Sequence, residues 1–528
     1  MKLLIVPFYL ILVAGHFGWG AERVGAFRVL PYIQNPASDS ITIKWLSYEN
    51  RIGKVRITID GSDRDFESAP VLATSLEYHP SEPGVTDRLQ SLPYIHSVRV
   101  SGLMAGKVYQ YAVTQTNEVI SSSFGPLPEK SQSVRFMVFA DSETEPESST
   151  VGPVDWPKPA GSNRPADITK YLVDQTIGFR ENLSIIESRK PNFICISGDL
   201  VESGGEQRDW DELWSHLAGE QGKLASSVPV FPALGNHENY GGPGVFGGYS
   251  ADAANLAVDK YLTYFDVPSN SAVNPKHRGR YYRIDYGPIT LITVDSSDGG
   301  PENTVSDTNH NLTGSHAPDF NPGSEQYRWL EAELADAQIR SRFTFVQFHH
   351  TPYGSGPHSV PFGREGFSGQ SGIAMRSIVP LLMQYGVDAV FCGHDEMLEK
   401  SLLEGKERSI DSSEKPHSIV FYDVGIGGDG LRGPVLNFDN PSRVFLAHDD
   451  AMEVWHGKQL VSGGKHYGHL EVNVFPNADG SWSATIDMVH AFPLTNEDGK
   501  VTGWERRLYM GSVSLEHLTS DQQGKKNR

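Results

Sequence analysis

Five short polar clusters could carry chemistry in this chain. They are Asp141-Ser142-Glu143, Gly198-Asp199-Leu200-Val201-Glu202, Gly235-Asn236-His237-Glu238, His349-His350 and Gly393-His394-Asp395-Glu396. Each follows or closes an apolar run. An amide oxygen ligates a metal, an imidazole ligates or carries a proton, and a carboxylate orients the imidazole or joins two ions. Oxygen and nitrogen donors without thiolate suit Mn, Fe, Zn or Mg. Two such ions sharing one carboxylate clamp phosphoryl oxygens and generate hydroxide at modest pH.

The elements that must position these clusters read as alternating strands and helices. Val134-Arg-Phe-Met-Val-Phe-Ala, Asn192-Phe-Ile-Cys-Ile-Ser and Val228-Pro-Val-Phe-Pro-Ala-Leu are β runs, with helical spacing over 168–188 and 210–217 between them. Paired strands are expected at 281–286 and 289–294, a helix at 326–337, a strand at 343–348, a helix at 377–385 and a strand at 388–392. This order predicts a layered α/β domain. In open α/β sheets, sites gather beyond the carboxyl ends of strands. The joins 143–166, 239–255 and 296–324 are long and rich in Gly, Pro, Ser and Asn, as site-forming loops often are. The run Gly427-Gly428-Asp429-Gly430-Leu431-Arg432-Gly433 lacks the lysine and serine of a phosphate-binding loop and reads as a turn.

Ahead of this domain, residues 22–128 read as all-β. Ser40-Ile-Thr-Ile-Lys-Trp-Leu and Val108-Tyr-Gln-Tyr-Ala-Val alternate with period two, and turn residues punctuate the runs. A β-sandwich without catalytic residues is expected. Residues 1–21 read as a cleaved secretory signal: Lys2 precedes an apolar run too short to be a permanent span, followed by Gly18, Gly20 and Ala21. The expected location is secreted or periplasmic. With 528 residues two domains are expected, and a formal charge of −20 argues against a general nucleic-acid or membrane-surface binder. The two cysteines, Cys195 and Cys392, lie in apolar runs and read as buried free thiols.

The ordered set Asp-x-x, Gly-Asp, Gly-Asn-His-Glu, Val-x-x-His and Gly-His resembles the calcineurin-like metallophosphoesterases, in particular the purple-acid-phosphatase-like branch. The resemblance spans roughly residues 26–490. It implies a layered β-sandwich core flanked by helices over 129–500 and a fibronectin-III-like sandwich at 22–128; residues 501–528 read from their polarity as a C-terminal tail. The resemblance also implies two metal ions and phosphate-ester hydrolysis. Asp199 is then the bridging ligand, with Asn236, His349 and His394 completing one metal site. His237 contacts phosphate and protonates the leaving group, and His358 is a second substrate-facing histidine. Glu238 and His350 stand behind these, Glu238 orienting the histidine.

Departures from the family pattern concentrate on the other metal. Glu202 stands where purple acid phosphatases carry tyrosine, Glu143 where the wider superfamily often has histidine, and Glu396 where the last motif usually ends in histidine. The candidates for that site are Asp141, Glu143, Asp199, Glu396 and Glu202. A solvated loop carboxylate is the alternative for Glu202. A carboxylate-rich site favours hard cations, Mn, Mg, Fe or Ca, over Zn. The expected activity is phosphomonoester hydrolysis by a metal-bound hydroxide. A phosphodiesterase acting on nucleotides or lipid head groups is the alternative within the class. A non-catalytic metal-binding or adhesion protein is the alternative outside it.

Overall fold

A computed structural model describes residues 25–83, 91–125, 129–408, 413–435 and 440–517. The expected signal segment lies outside them, as do residues 126–128 of the interdomain join and 518–528 of the tail.

The N-terminal region is an antiparallel sandwich of two four-stranded sheets. One runs Phe27–Ala37, Ser40–Ser47, Tyr94–Ser101, Val71–Leu72; the other runs Ser62–Ser68, Gly53–Ile59, Tyr109–Gln115, Glu118–Phe124. Strand Gly53–Ile59 alternates strictly between buried and exposed, because Val55, Ile57 and Ile59 face Ile43, Trp45 and Val113 while Lys54, Arg56 and Thr58 face water. The sandwich is tied to the larger domain by polar bonds. The Tyr32 hydroxyl donates to the Tyr264 carbonyl at 3.0 Å, the Tyr111 hydroxyl donates to the Ser226 carbonyl at 2.7 Å, and Arg28 pairs with Asp211 at 2.9 Å.

The larger domain has four layers, helices on either side of two facing mixed sheets. The first sheet holds three parallel strands, β1 (Val134–Phe139), β2 (Phe193–Ile196) and β3 (Val230–Pro232). Beyond β1 it continues antiparallel through Gly468–Pro476, Trp482–Thr495 and Val501–Leu508. The second sheet contains β4 (Phe343–His350) and β5 (Ala389–Gly393), parallel to each other and flanked by Ile289–Thr293 and Glu414–Val424. Alternation places Val134, Phe136 and Val138 of β1 against Phe345 of β4 and Phe391 of β5 in the core between the sheets. Met137 and Phe139 face outward, onto helices Gln175–Ser188 and Gln207–Ala218. Val346, Phe348, Val390 and Cys392 face outward on the other side, onto helix Glu325–Arg340. Cys195 lies in the inter-sheet core, and both cysteines are free and buried.

Three expectations are corrected. The segment from 501 is not a tail: Val501–Leu508 and Val513–His517 both pair antiparallel with Trp482–Thr495, whose edge gives their backbone amides and carbonyls partners. The helix expected from 168 begins at Gln175, because the Asp174 carboxylate accepts the Ile177 amide at 2.8 Å and caps it there. The join read as a loop to 255 already turns helical at Ala251, in a helix running to Tyr264.

Candidate metal centre

The carboxyl ends of β1 to β5 converge at one edge of the two-sheet core, and the five clusters meet there. Eleven non-glycine residues have positive φ among the described residues, and five of them are Asp141 (56°), Glu143 (33°), Asp199 (50°), His394 (84°) and Glu396 (49°). Such backbones cost roughly 1–3 kcal/mol each and persist only where neighbours over-determine them. Here the loops brace one another. Asp141 accepts the His394 amide on both carboxylate oxygens, at 2.9 and 3.0 Å. Its own amide donates to the Gly198 carbonyl at 3.1 Å, and its carbonyl accepts the amides of Gly428 and Asp429 at 3.0 and 2.9 Å. The glycines preceding the polar residues leave room for the carboxylates. A methyl group on Gly235 would overlap the Asp199 side chain, and one on Gly393 would overlap Asp141.

Glu238 supplies a further brace, which corrects the expectation that it orients the histidine. It is fully buried, and its carboxylate accepts three backbone amides: Asp199 at 3.0 Å, Leu200 at 2.8 Å and Gly235 at 2.8 Å. It fixes the turn that presents Asp199. His237 is held otherwise, its amide donating to Asp199 Oδ1 at 2.9 Å and its Nδ1 to the Glu202 carbonyl at 2.6 Å. That leaves Nε2 facing the site, 4.0 Å from Glu143 Oε2. Burial opposes charge on His237, but Asp199 and Glu202 outweigh it and push the imidazole up to about 9.

One half of the centre gathers Asp199, Asn236, His349 and His394. His349 Nδ1 lies 3.0 Å from the Ser197 carbonyl, which fixes a proton on that nitrogen. Its Nε2 lies 2.8 Å from Asp199 Oδ2, 2.9 Å from Asn236 Oδ1 and 3.2 Å from His394 Nδ1. One ring nitrogen offers at most one hydrogen and cannot serve three acceptors, whereas a cation among them takes a lone pair from each. Asn236 is turned oxygen-inward because its Nδ2 donates to the Tyr249 hydroxyl at 3.2 Å. His394 Nε2 is buried without a partner. These donors fit a divalent or trivalent cation with mixed nitrogen and oxygen ligation. His350, with Nδ1 2.9 Å from Ser296 Oγ, packs behind, its ring 4.5 Å from that of His394.

The other half is carboxylate. Asp141, Glu143 and Asp199 offer oxygens within 4.8 Å of one another. Glu143 belongs equally to a group with Glu202 and His237 and to one with Glu396 and Asp429. Burial, and then the neighbouring acids, push Asp141, Glu143 and Glu396 well above the carboxylate range. Asp199 goes the other way: burial opposes its charge, but His349 and His237 hold it well below. Packed buried carboxylates of this kind suit an oxygen-ligated hard cation.

Sequence reasoning missed Asp429 and Arg432, both in the glycine run read as a turn. Arg432 pairs with Glu396 through Nη2 and lies 3.1 Å through Nη1 from His358 Nε2. Nothing in the run itself marks a site; the Gly427, Gly428 and Asp429 amides, donating to the Ala140 and Asp141 carbonyls just after β1, place it here. His358 sits at the rim, its ring 4.0 Å from that of His394, its Nδ1 2.9 Å from Ser368 Oγ. Burial, with Arg432 adding to it, lowers its pKa against the opposing pull of Asp395. Asp395 holds this rim by accepting the His358 amide at 2.7 Å and the Ser359 hydroxyl at 2.6 Å.

Comparison with known proteins agrees with this geometry. Residues 136–395 match the family model of the calcineurin-like phosphoesterases. An uncharacterized protein of Mycobacterium tuberculosis is 28% identical over 390 residues, covering 72% of this chain and 63% of that protein. A probable inactive purple acid phosphatase of Arabidopsis thaliana is 24% identical over 410 residues, covering 74% of this chain and 59% of that protein. The chain thus spans about three-fifths of the length of these relatives. Among solved structures, a purple acid phosphatase from yellow lupin (Lupinus luteus) seeds superposes with a TM-score of 0.58 at 18% identity, covering 92% of this chain and 73% of that one. The structure of PhoD superposes with a TM-score of 0.55 at 13% identity, covering 94% and 92%. With the five strand-end clusters and the four-layer fold, these matches identify residues 136–395 as a calcineurin-like phosphoesterase domain, with purple acid phosphatases among the chain's relatives.

Proposed function

We propose that this protein is a secreted or periplasmic phosphoric ester hydrolase that uses two metal ions and acts first on monoesters. The observation that carries the reading is the convergence of Asp199 Oδ2, Asn236 Oδ1 and His394 Nδ1 on His349 Nε2, beside an all-carboxylate half that His237 Nε2 faces. Asp199, Asn236, His349 and His394 would hold one ion; Asp141, Glu143, Asp199 and Glu396, with Glu202 and Asp429 at hand, would hold the other. When bound, the ions supply Lewis acidity toward the phosphoryl oxygens and acidify water. Mn, Fe, Mg or Ca suits the carboxylate half better than Zn.

The chain's own residues do the rest. His237, its Nδ1–H committed to the Glu202 carbonyl, offers a proton from Nε2 toward the site as the imidazolium, and as the neutral ring accepts one there. That proton suits a leaving oxygen, a contribution worth roughly 10²- to 10⁴-fold in rate. His358 fits this role less well than the sequence suggested, because its Nε2 faces the Arg432 guanidinium and accepts from it. The test is three variants, measured for bound metal and assayed on para-nitrophenyl phosphate. Asn236→Ala and His394→Ala should lose both bound metal and turnover, while His237→Ala should lose turnover and keep metal. Wild-type rate in His237→Ala would remove the proton-donor role.

A non-catalytic metal-binding role is the second reading. It is favoured by the Arg432–Glu396 pair inside the carboxylate half, at a position where the resemblance expects a histidine ligand. Metal-dependent turnover above background in any phosphoester assay excludes it.

A further inference from the structure

Arg432 is built into the mouth of the site more firmly than a chance surface arginine. Its neighbour Leu431 is 1% exposed and anchored in the core between the sheets. The Arg432 amide donates to the Glu396 carbonyl at 3.1 Å. The carbonyls of Leu431 and Arg432 both accept from the buried Lys465 ammonium. The backbone is therefore fixed on both sides, yet the side chain is 43% exposed. Of its five N–H bonds, one points at Glu396 and one at His358 Nε2. The rest remain to meet something arriving from solvent. The guanidinium also lies between a candidate metal ligand, Glu396, and His358, whose ring is 4.0 Å from that of another, His394. A planar cation with spare parallel donors, beside such a centre, suits the oxygens of a phosphoryl group.

We propose that Arg432 contacts the non-bridging phosphoryl oxygens of the substrate and sets a preference for dianionic monoesters over diesters. The inference rests on the phosphoester reading above. A monoester dianion presents one more anionic oxygen than a diester, whose corresponding oxygen is esterified and carries no charge. A guanidinium fixed beside the metals rewards that extra charge and gains little from a diester. His358 is then a positioning residue: its Nδ1 is held by Ser368 and its Nε2 accepts from Arg432, which aims the fork.

The experiment compares wild type, Arg432→Met and Arg432→Lys as full chains loaded with metal. It measures kcat and KM on para-nitrophenyl phosphate and bis-para-nitrophenyl phosphate, inorganic phosphate affinity by calorimetry, and metal content. In Arg432→Met, KM for the monoester should rise and phosphate affinity fall by about 10- to 100-fold, the loss of one or two charge-assisted hydrogen bonds. The diester kcat/KM should fall less than about threefold, with metal content unchanged. Arg432→Lys should recover part of the phosphate affinity, since it restores charge without the fork. Equal losses on both esters together with lost metal would overturn the inference, leaving Arg432 as a partner of Glu396 alone. Unchanged phosphate affinity in Arg432→Met, with an active wild type, would overturn it while sparing the phosphoester reading. A wild type that neither binds phosphate nor hydrolyses either ester overturns both. Should Arg432→Met melt early, Arg432→Lys carries the comparison.

Discussion

Gly235→Ala isolates the space behind Asp199. Gly235 does not occupy the left-handed region, so alanine meets no backbone penalty there, only a collision. The new methyl would lie 2.5 Å from the Asp199 backbone nitrogen and 2.9 Å from its Cγ, and would overlap Oδ1. Ordinary contact begins at 3.4 Å, so the Asp199 turn must retreat by about 0.9 Å. Metal–ligand distances tolerate only about 0.2 Å. Overpacking of this kind costs about 1–3 kcal/mol of stability, which a domain of this size survives. The expected result is a folded protein with an unchanged far-ultraviolet spectrum and a modestly lower Tm. Its metal affinity should fall by 10- to 100-fold or more, because Asp199 is placed to serve both ions. Metal content after desalting and chelator competition give the readout. A Gly235→Ala protein with wild-type metal stoichiometry and affinity would refute the assignment of Asp199 as the shared ligand.

Glu238→Gln should lower stability by roughly 1–3 kcal/mol, since an amide NH₂ must oppose at least one of the three backbone amides the carboxylate now accepts. It should also weaken metal binding; an effect on turnover alone, with metal and melting unchanged, would return Glu238 to the histidine. Chelator treatment of purified protein should lower Tm and re-addition of Mn restore it, in line with about 2.7 kcal/mol of linkage at a hundredfold excess over Kd; a Tm indifferent to chelator would speak against an occupied centre. Far from the site, Glu471 is paired with Arg189 at 2.8 Å and Arg506 at 2.9 Å, which hold its carboxyl at about 2 against burial. A depressed carboxyl stabilises the fold above its unfolded value near 4.5, and the benefit disappears as pH falls through about 2. Glu471→Gln should therefore cost on the order of 1–2 kcal/mol at pH 7, with the gap to wild type closing toward pH 2; a gap that stays constant with pH would exclude the ion pairs as its cause.

The strand-end pattern was legible because burial and chemistry alternate along the chain on a local scale. Apolar period-two runs end in glycine and then in Asp, Asn or His, and both the layered fold and the ligand candidates follow from that local grammar. The resemblance, through its Val-x-x-His motif, points to His349, and the structure turns His349 Nε2 toward Asp199 and Asn236 while His350 faces Ser296. What the chain order could not show is which distant segments share the site. Asp429 and Arg432 sit in a glycine run that has no local signature, and they reach the centre only because the Gly428 and Asp429 amides donate to the Asp141 carbonyl. The role of Glu238 was misread for the same reason. Its neighbour in sequence is a histidine, but its hydrogen-bond partners are the amides of Asp199, Leu200 and Gly235. Residues 501–517 look polar in sequence, yet they are strands because Trp482–Thr495 offers them an edge. The sequence by itself determined the donor types and the strands that carry them, since those depend on neighbours in the chain. Tertiary structure alone decided which donors converge and which residues brace or oppose them, since those depend on loops brought together from both sheets.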